Sequence, residues 1–147
     1  MTRNLYQQFV GYLLGSTSSK SVGVFRIVFG SVITFMVASW GPHLYGLFGY
    51  KGTYPWEVYQ KELANFPSVF HVNGSNAFVY ICYAVLLASC IAFTLGWFSR
   101  FMALIMTILF ASFTWRNPAI RYGASEITQC FLLGFIFLRS DAMHALR

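Results

Sequence analysis

Four stretches of this chain, at about 22–40, 77–97, 101–115 and 122–138, contain between them only two charged side chains, Arg26 and Glu126. An α-helix rises about 1.5 Å per residue, so roughly 20 apolar residues cross a hydrocarbon core of about 30 Å. Stretches of that length have no polar stripe to turn toward water, which predicts membrane spans rather than the amphipathic helices of a soluble core. The third is short for a span and is expected to need local bilayer thinning, flanking residues or shielding by its neighbours. Only 10% of the residues are charged, against about 25% in soluble domains, which points the same way.

The links set the topology. Trp40, Trp97 and Trp115 each close a span, at the depth where an amphipathic indole settles. GWFSR and WRNPAIR are too short for anything but antiparallel helix pairs, and Pro118 ends the regular helix before the last link. The expected fold is an all-α integral membrane protein, a single domain built as an up-and-down bundle of four transmembrane helices. An amphipathic segment at about 4–14, with Leu5, Phe9, Tyr12 and Leu13 on one face, is expected to lie in the interface. The opening MTRNLYQQFVGYLLGSTSSK has too short an apolar run for a cleavable signal, so the first span is expected to direct insertion. The external loop, about 41–76, is too aromatic for a free linker; it is expected to fold back as a cap or meet a partner, with a short helix near residues 56–63. Trp40, Trp56, Trp97 and Trp115 are the expected contacts to lipid or partner.

Ten Lys and Arg against four Asp and Glu give a net charge of +6. The basic residues are scattered singly, with no run that could track phosphates, which excludes nucleic acid as a partner. Arg3, Lys20, Arg26, Arg100, Arg139 and Arg147 fall on one side of the four spans; Lys51, Lys61, Arg116 and Arg121 fall on the other. The excess places both termini in the cytoplasm.

Few groups could carry chemistry. Arg26 lies inside the first span, where a charge is costly unless it is paired; the topology brings Asp141 to the same depth and predicts an ion pair, with snorkelling or contact to a headgroup as alternatives. Glu126 opens the last span beside Arg116 and Arg121, which are expected at headgroup level in the turn. It reads as a carboxylate at a helix N-terminus neutralised by a neighbouring arginine, or as a proton-handling carboxylate in apolar surroundings. None of His43, His71 and His144 lies mid-span. Cys82, Cys90 and Cys130 read as small buried hydrophobes. No catalytic or metal-ligating residue is expected, and no GxSxG, HExxH, P-loop or dinucleotide fingerprint is present. Gly23, Gly30, Ser31, Ser39 and Gly134 are expected to permit close helix approach.

Taken in order, VFRIVFGSVI, a loop with YPWE and FPSVF, the segment LLASCIAFTLGWFSRFMALIMTILFASFTWRNPAIRYG and finally FLRSDAMHAL resemble the N-terminal half of the HTTM domain. This is the membrane domain of vitamin K-dependent gamma-carboxylases and of many bacterial relatives. The resemblance runs from about Val22 to the C terminus, and more distantly the sequence is similar to DoxX-like four-helix membrane proteins. It implies a membrane protein of the bacterial inner membrane. In the carboxylases a lysine, the proposed base, precedes the tryptophan of this segment by three residues; here that position is Ser112, and the chain ends before the further helices of the family domain. Carboxylase activity is therefore not expected, since a hydroxyl without an adjacent base cannot replace a tuned amine. The expected function is a non-catalytic accessory subunit, with other integral membrane subunits and lipid as partners. The alternative is a membrane enzyme or maturation factor acting on a quinone-like or lipid substrate. No cofactor is expected, with bound lipid, quinone or pigment left open. A transporter is disfavoured, because no span is broken or lined with polar residues.

Overall fold

A computed structural model describes residues 19–62, 66 and 68–137. Among the described residues the chain is all-helical and contains no strand. Helix α1 is Ser19–Trp40, followed by a 3-10 turn at Gly41–His43 and the five-residue α2, Leu44–Phe48. Helix α3 is Trp56–Glu62, and a second 3-10 turn at Val69–His71 leads to α4, Asn76–Leu95. Helix α5 is Ser99–Arg116, and after a 3-10 turn at Pro118–Ile120 the last described helix, α6, is Gly123–Phe137. The interfacial segment expected at 4–14, the end of the fourth span at 138, and Asp141 and His144 lie outside the described residues.

Two helical stretches are long and apolar enough to cross a membrane: Val22–Phe48, with mean hydropathy 1.9, and Asn76–Leu95, with 2.3. Gly123–Phe137 is a shorter apolar helix. The third expected span is longer than its charge-free core suggested. α5 takes in Ser99 and Arg100 at one end and Arg116 at the other, for 18 residues or roughly 27 Å. The helix thus draws on residues flanking the 101–115 stretch, one of the three expectations for it, and both flanking arginines are helical.

Local chemistry explains where the helices stop. Ser75 caps α4 by accepting from Phe78 N at 3.3 Å, as N-cap serines do. At the other end Gly96 takes φ 88°, Trp97 N donates to Ala92 O at 2.9 Å and Gly96 N to Phe93 O at 3.1 Å. These two bonds form a Schellman motif, whose left-handed residue is cheapest as glycine. Phe98 also has positive φ, 45°, so the reversal into α5 is completed by a residue under strain. Asn117, held extended by the following Pro118, ends α5 and accepts from Ala119 N at 3.0 Å.

The long helices pack as antiparallel neighbours, α1 on α4, α4 on α5 and α5 on α6. At the α1–α4 crossing a Cβ on Gly30 would lie 3.2 Å from Thr94 Cα, so close approach there requires glycine. That role falls to Gly30 alone: Cβ atoms on Gly23 and Gly134 would meet nothing, and Ser31 and Ser39 are exposed. α1 meets α6 through rings, Phe25 and Phe29 lying 5.4–5.8 Å from Phe131 and Phe135. Ile33, Val37, Leu86, Cys90, Met106 and Leu132 fill the space between the helices.

The outer surface is inverted relative to a water-soluble protein. Val24, Val32 and Phe35 on α1, Ile81 on α4, Phe101 on α5, and Ile127 and Phe137 on α6 are all exposed, Phe35 by 78% and Phe137 by 83%. Meanwhile Arg26, Ser89, Ser99, Ser112, Arg116, Asn117 and Thr128 are buried.

Candidate functional site

Two buried arginines, Arg26 and Arg116, lie toward opposite ends of the bundle. At the α1 start and α5 start, Arg26 is 2% exposed and its Nη1 donates to Ser99 Oγ at 3.2 Å. This bond joins residues 73 apart in sequence and fixes the depth of Arg26 relative to the α4–α5 link. The expected partner Asp141 is beyond the described residues, so the sequence-based pairing is not addressed by this contact.

The opposite end is more elaborate. Helices α2 and α3 and the turn at Val69–His71 form a cap, and three side chains from the end of α5 hold it. Ser112 Oγ accepts from Val69 N at 3.2 Å while donating to Ile108 O at 2.8 Å. Asn117 Nδ2 donates to Leu47 O at 2.9 Å, and Arg116 Nη2 donates to Gly49 O at 3.1 Å. Arg116 is 1% exposed, and its guanidinium carbon lies 5.1 Å from the Trp56 ring centre and 5.0 Å from that of Tyr59. Trp56 and Tyr59 stand three residues apart on α3 and so share a face. Among the described residues no carboxylate pairs with Arg116, and its Nε and Nη1 have no hydrogen-bond acceptor. The ring faces supply the compensating negative potential.

Around this cation the cap is closely fitted. A Cβ on Gly74 would fall 2.4 Å from the Trp56 indole, so only glycine passes there. His71 stacks on Tyr59 at 5.1 Å and 20°; its Nε2 donates to Phe66 O at 2.7 Å and lies 3.4 Å from Tyr59 Oη. Burial pushes the Tyr59 phenol above its ordinary value, with the Ser68 hydroxyl and the Arg116 charge pulling the other way. A hydrogen bond to the Glu62 carboxylate raises Tyr54 likewise.

Several sequence-based expectations are corrected here. Arg116 is not an exposed turn residue; it belongs to the last turn of α5 and is covered by the cap. Trp40 is half-buried, its ring stacked on Phe110 at 5.7 Å and 23°. Trp56 is buried on Arg116, and Trp115 is held between Phe66, 4.0 Å away, and Arg121, at 4.2 Å. Folding the loop back over the helix ends buries Trp56 and half-buries Trp40 and Trp115, while Trp97 is 69% exposed. Arg121 does lie in the turn, its Nε 2.6 Å from Glu126 Oε1 with both side chains about half exposed. Cys82 and Cys90 are buried, but Cys130 is exposed on the outer face of α6.

Among the described residues no three His, Cys, Asp or Glu side chains converge as a metal site. Two of the open grooves have volumes of several hundred Å³. One, of about 430 Å³, lies between α1 and α4 along Thr34, Phe35, Ile91 and Thr94. The other, of about 490 Å³, lies between α5 and the cap turn, along Val69, Val72, Thr107, Ile108, Ala111 and Ser112. No protein-family model matches the sequence, and neither a curated protein nor a solved structure matches it.

Proposed function

We propose that this chain is an integral membrane protein, a four-helix transmembrane bundle that serves as a non-catalytic subunit of a larger membrane assembly. The observation that carries the reading is the inverted surface: apolar side chains face outward on all four long helices while arginine, serine and asparagine are buried. In water such a surface would aggregate; in a bilayer it is the face that meets lipid or partner helices. The end holding Lys51, Lys61, Arg116 and Arg121 would then be the external side, with the cap at the headgroup level.

The HTTM resemblance is kept as part of this proposal, without the carboxylase chemistry. Ser112 occupies the position of the proposed catalytic lysine, and here its hydroxyl is engaged with Val69 N and Ile108 O. A membrane maturation factor or enzyme acting on a lipid-like substrate is the second reading. It is favoured by one observation, the groove beside the cap.

Extraction in mild detergent, followed by mass spectrometry of what co-purifies, tests the proposal. Retention in carbonate-washed membranes with stoichiometric membrane partners is the expected result. Release by carbonate would overturn the membrane reading, and a lone protein carrying a bound lipid-like molecule would overturn the subunit reading in favour of the second.

A further inference from the structure

The turn between α4 and α5 breaks local rules at Phe98. This residue is the N-cap of α5, its carbonyl accepting from Met102 N at 2.9 Å, at a position where a short polar side chain or glycine is preferred. Phenylalanine cannot cap, and no side-chain cap is made. It also stands in the left-handed region, φ 45° and ψ 46°, which glycine or asparagine enters more readily. Its ring is 79% exposed, so the chain's own packing does not hold it there. Trp97 repeats the pattern. As the residue after the glycine of a Schellman motif it would ordinarily pack back on the helix it ends, yet its indole is 69% exposed. The turn itself is fixed from within: Ser99 is fully buried and accepts from Arg26 Nη1 at 3.2 Å, which ties the turn to α1. Local choices that work against the fold mark a site whose reason lies outside it.

We propose that Trp97 and Phe98 form a membrane anchor, two rings presented by a fixed turn to the boundary between lipid headgroups and acyl chains. The inference rests on the membrane reading above and names the part of the bilayer that this end of the bundle meets. Continuity selects the occupant. The exposed apolar faces of the two helices joined by the turn, Ile91 and Leu95 on α4 and Phe101 and Leu104 on α5, run directly into the ring pair, so the rings lie at the edge of the surface assigned to lipid. Asn76–Leu95, the more apolar of the two candidate spans, stops just before the rings, and the chain turns polar again at Ser99 and Arg100. An indole, with an apolar body and a polar N–H, fits that depth, as the rings of aromatic belts do. Charge agrees with this placement: the sequence from Asn76 to Arg116 holds no acidic residue, so neither helix carries a carboxylate that would repel lipid phosphates.

The test uses the full chain reconstituted in phosphatidylcholine vesicles. The emission of Trp97 is taken as the difference between wild type and Trp97→Phe. Its quenching is read with phosphatidylcholine brominated just below the headgroup and with iodide in the water. Stronger quenching by the brominated chains than by iodide is expected. In Phe98→Gly, which suits the backbone of the turn and removes the ring, Trp97 should shift toward iodide access. Stronger quenching by iodide in wild type would mean that the rings stand in water, as a patch meant for a soluble protein partner would, and overturns the inference. A Trp97 signal that Phe98→Gly leaves unchanged overturns it as well. A nitroxide on Val32→Cys in a Cys130→Ala background reports on the membrane reading separately, because Val32 is 62% exposed near the middle of α1. If that label collides with oxygen while iodide reaches Trp97, the anchor fails and the membrane reading stands. A label reached mainly by a water-soluble nickel chelate refutes the membrane reading itself.

Discussion

Replacing Arg116 by methionine keeps most of the side-chain volume and removes the charge, so it isolates what the guanidinium does for the cap. Two contributions are lost. The Nη2–Gly49 O bond at 3.1 Å is a hydrogen bond from a charged donor, worth about 1.5–3 kcal/mol, and after its loss Gly49 O keeps the bond from Gly52 N at 3.0 Å. The contacts with Trp56 and Tyr59 at 5.1 and 5.0 Å contribute about 1–2 kcal/mol each when desolvated. Against this, methionine relieves the cost of burying Nε and Nη1 without acceptors, about 1–3 kcal/mol. The net expected loss is about 2 kcal/mol. It should be local, because Leu86, Met106 and Leu132 between the helices do not touch the cap cation. Amide hydrogen exchange across α2 and α3 in detergent micelles should accelerate by about 30-fold, since each 1.4 kcal/mol is tenfold, while α4 and α5 keep their protection. A double-mutant cycle with Trp56→Leu, read by the same exchange, should give a coupling of about 1–2 kcal/mol. Additivity within about 0.5 kcal/mol would show that the ring does not stabilise the cation and would refute the account.

Other substitutions probe the rest of the fold. Gly30→Ala places a Cβ 2.5 Å from Thr94 Oγ1 and 3.2 Å from its Cα; a loss of about 1–3 kcal/mol is expected in detergent unfolding, only partly recovered by adding Thr94→Ala because the crowding against the α4 backbone stays. Phe98→Gly releases a left-handed residue with φ 45° whose ring is 79% exposed, and should raise the unfolding midpoint by an equivalent of about 1 kcal/mol; a lower midpoint would contradict strain at this residue. Tyr59 titrates above its ordinary value of about 10 because burial disfavours the phenolate. The folded state thus holds the proton more tightly, and the resulting stability is present below the unfolded value and lost as pH rises through the folded one. Tryptophan fluorescence of the cap should change above pH of about 10 in wild type, and Tyr59→Phe should lack that step. Maleimide should modify Cys130 in detergent and spare the buried Cys82 and Cys90; in intact bilayers a water-soluble maleimide should spare all three, and labelling of Cys130 there would count against a lipid-facing α6.

Local chemistry settled much of this molecule before any packing was considered. Long charge-free runs leave helices no polar face, so the positions of α1, α4, α5 and α6 follow from spacing alone. Their ends follow from Gly96, which accepts a left-handed conformation, from Ser75, whose hydroxyl caps α4, and from Asn117–Pro118, which cannot continue a helix. That the loop after α1 folds back with a short helix at Trp56 was likewise legible in its aromatic content. What the loop covers was not. A loop arginine between Trp115 and Asn117 looks solvated in sequence, because sequence shows the turn and not the cap lying over it. Only the tertiary structure brings Gly49, Trp56 and Tyr59 onto Arg116, from 57 to 67 positions upstream, and so converts a surface cation into a buried one. The same covering buries Trp56, seats Trp115 against Phe66 and sets Ser112 to hold Val69. Helix formation depends on neighbours three and four residues away and can be read locally; the surroundings of a charge depend on which distant segment comes to rest against it.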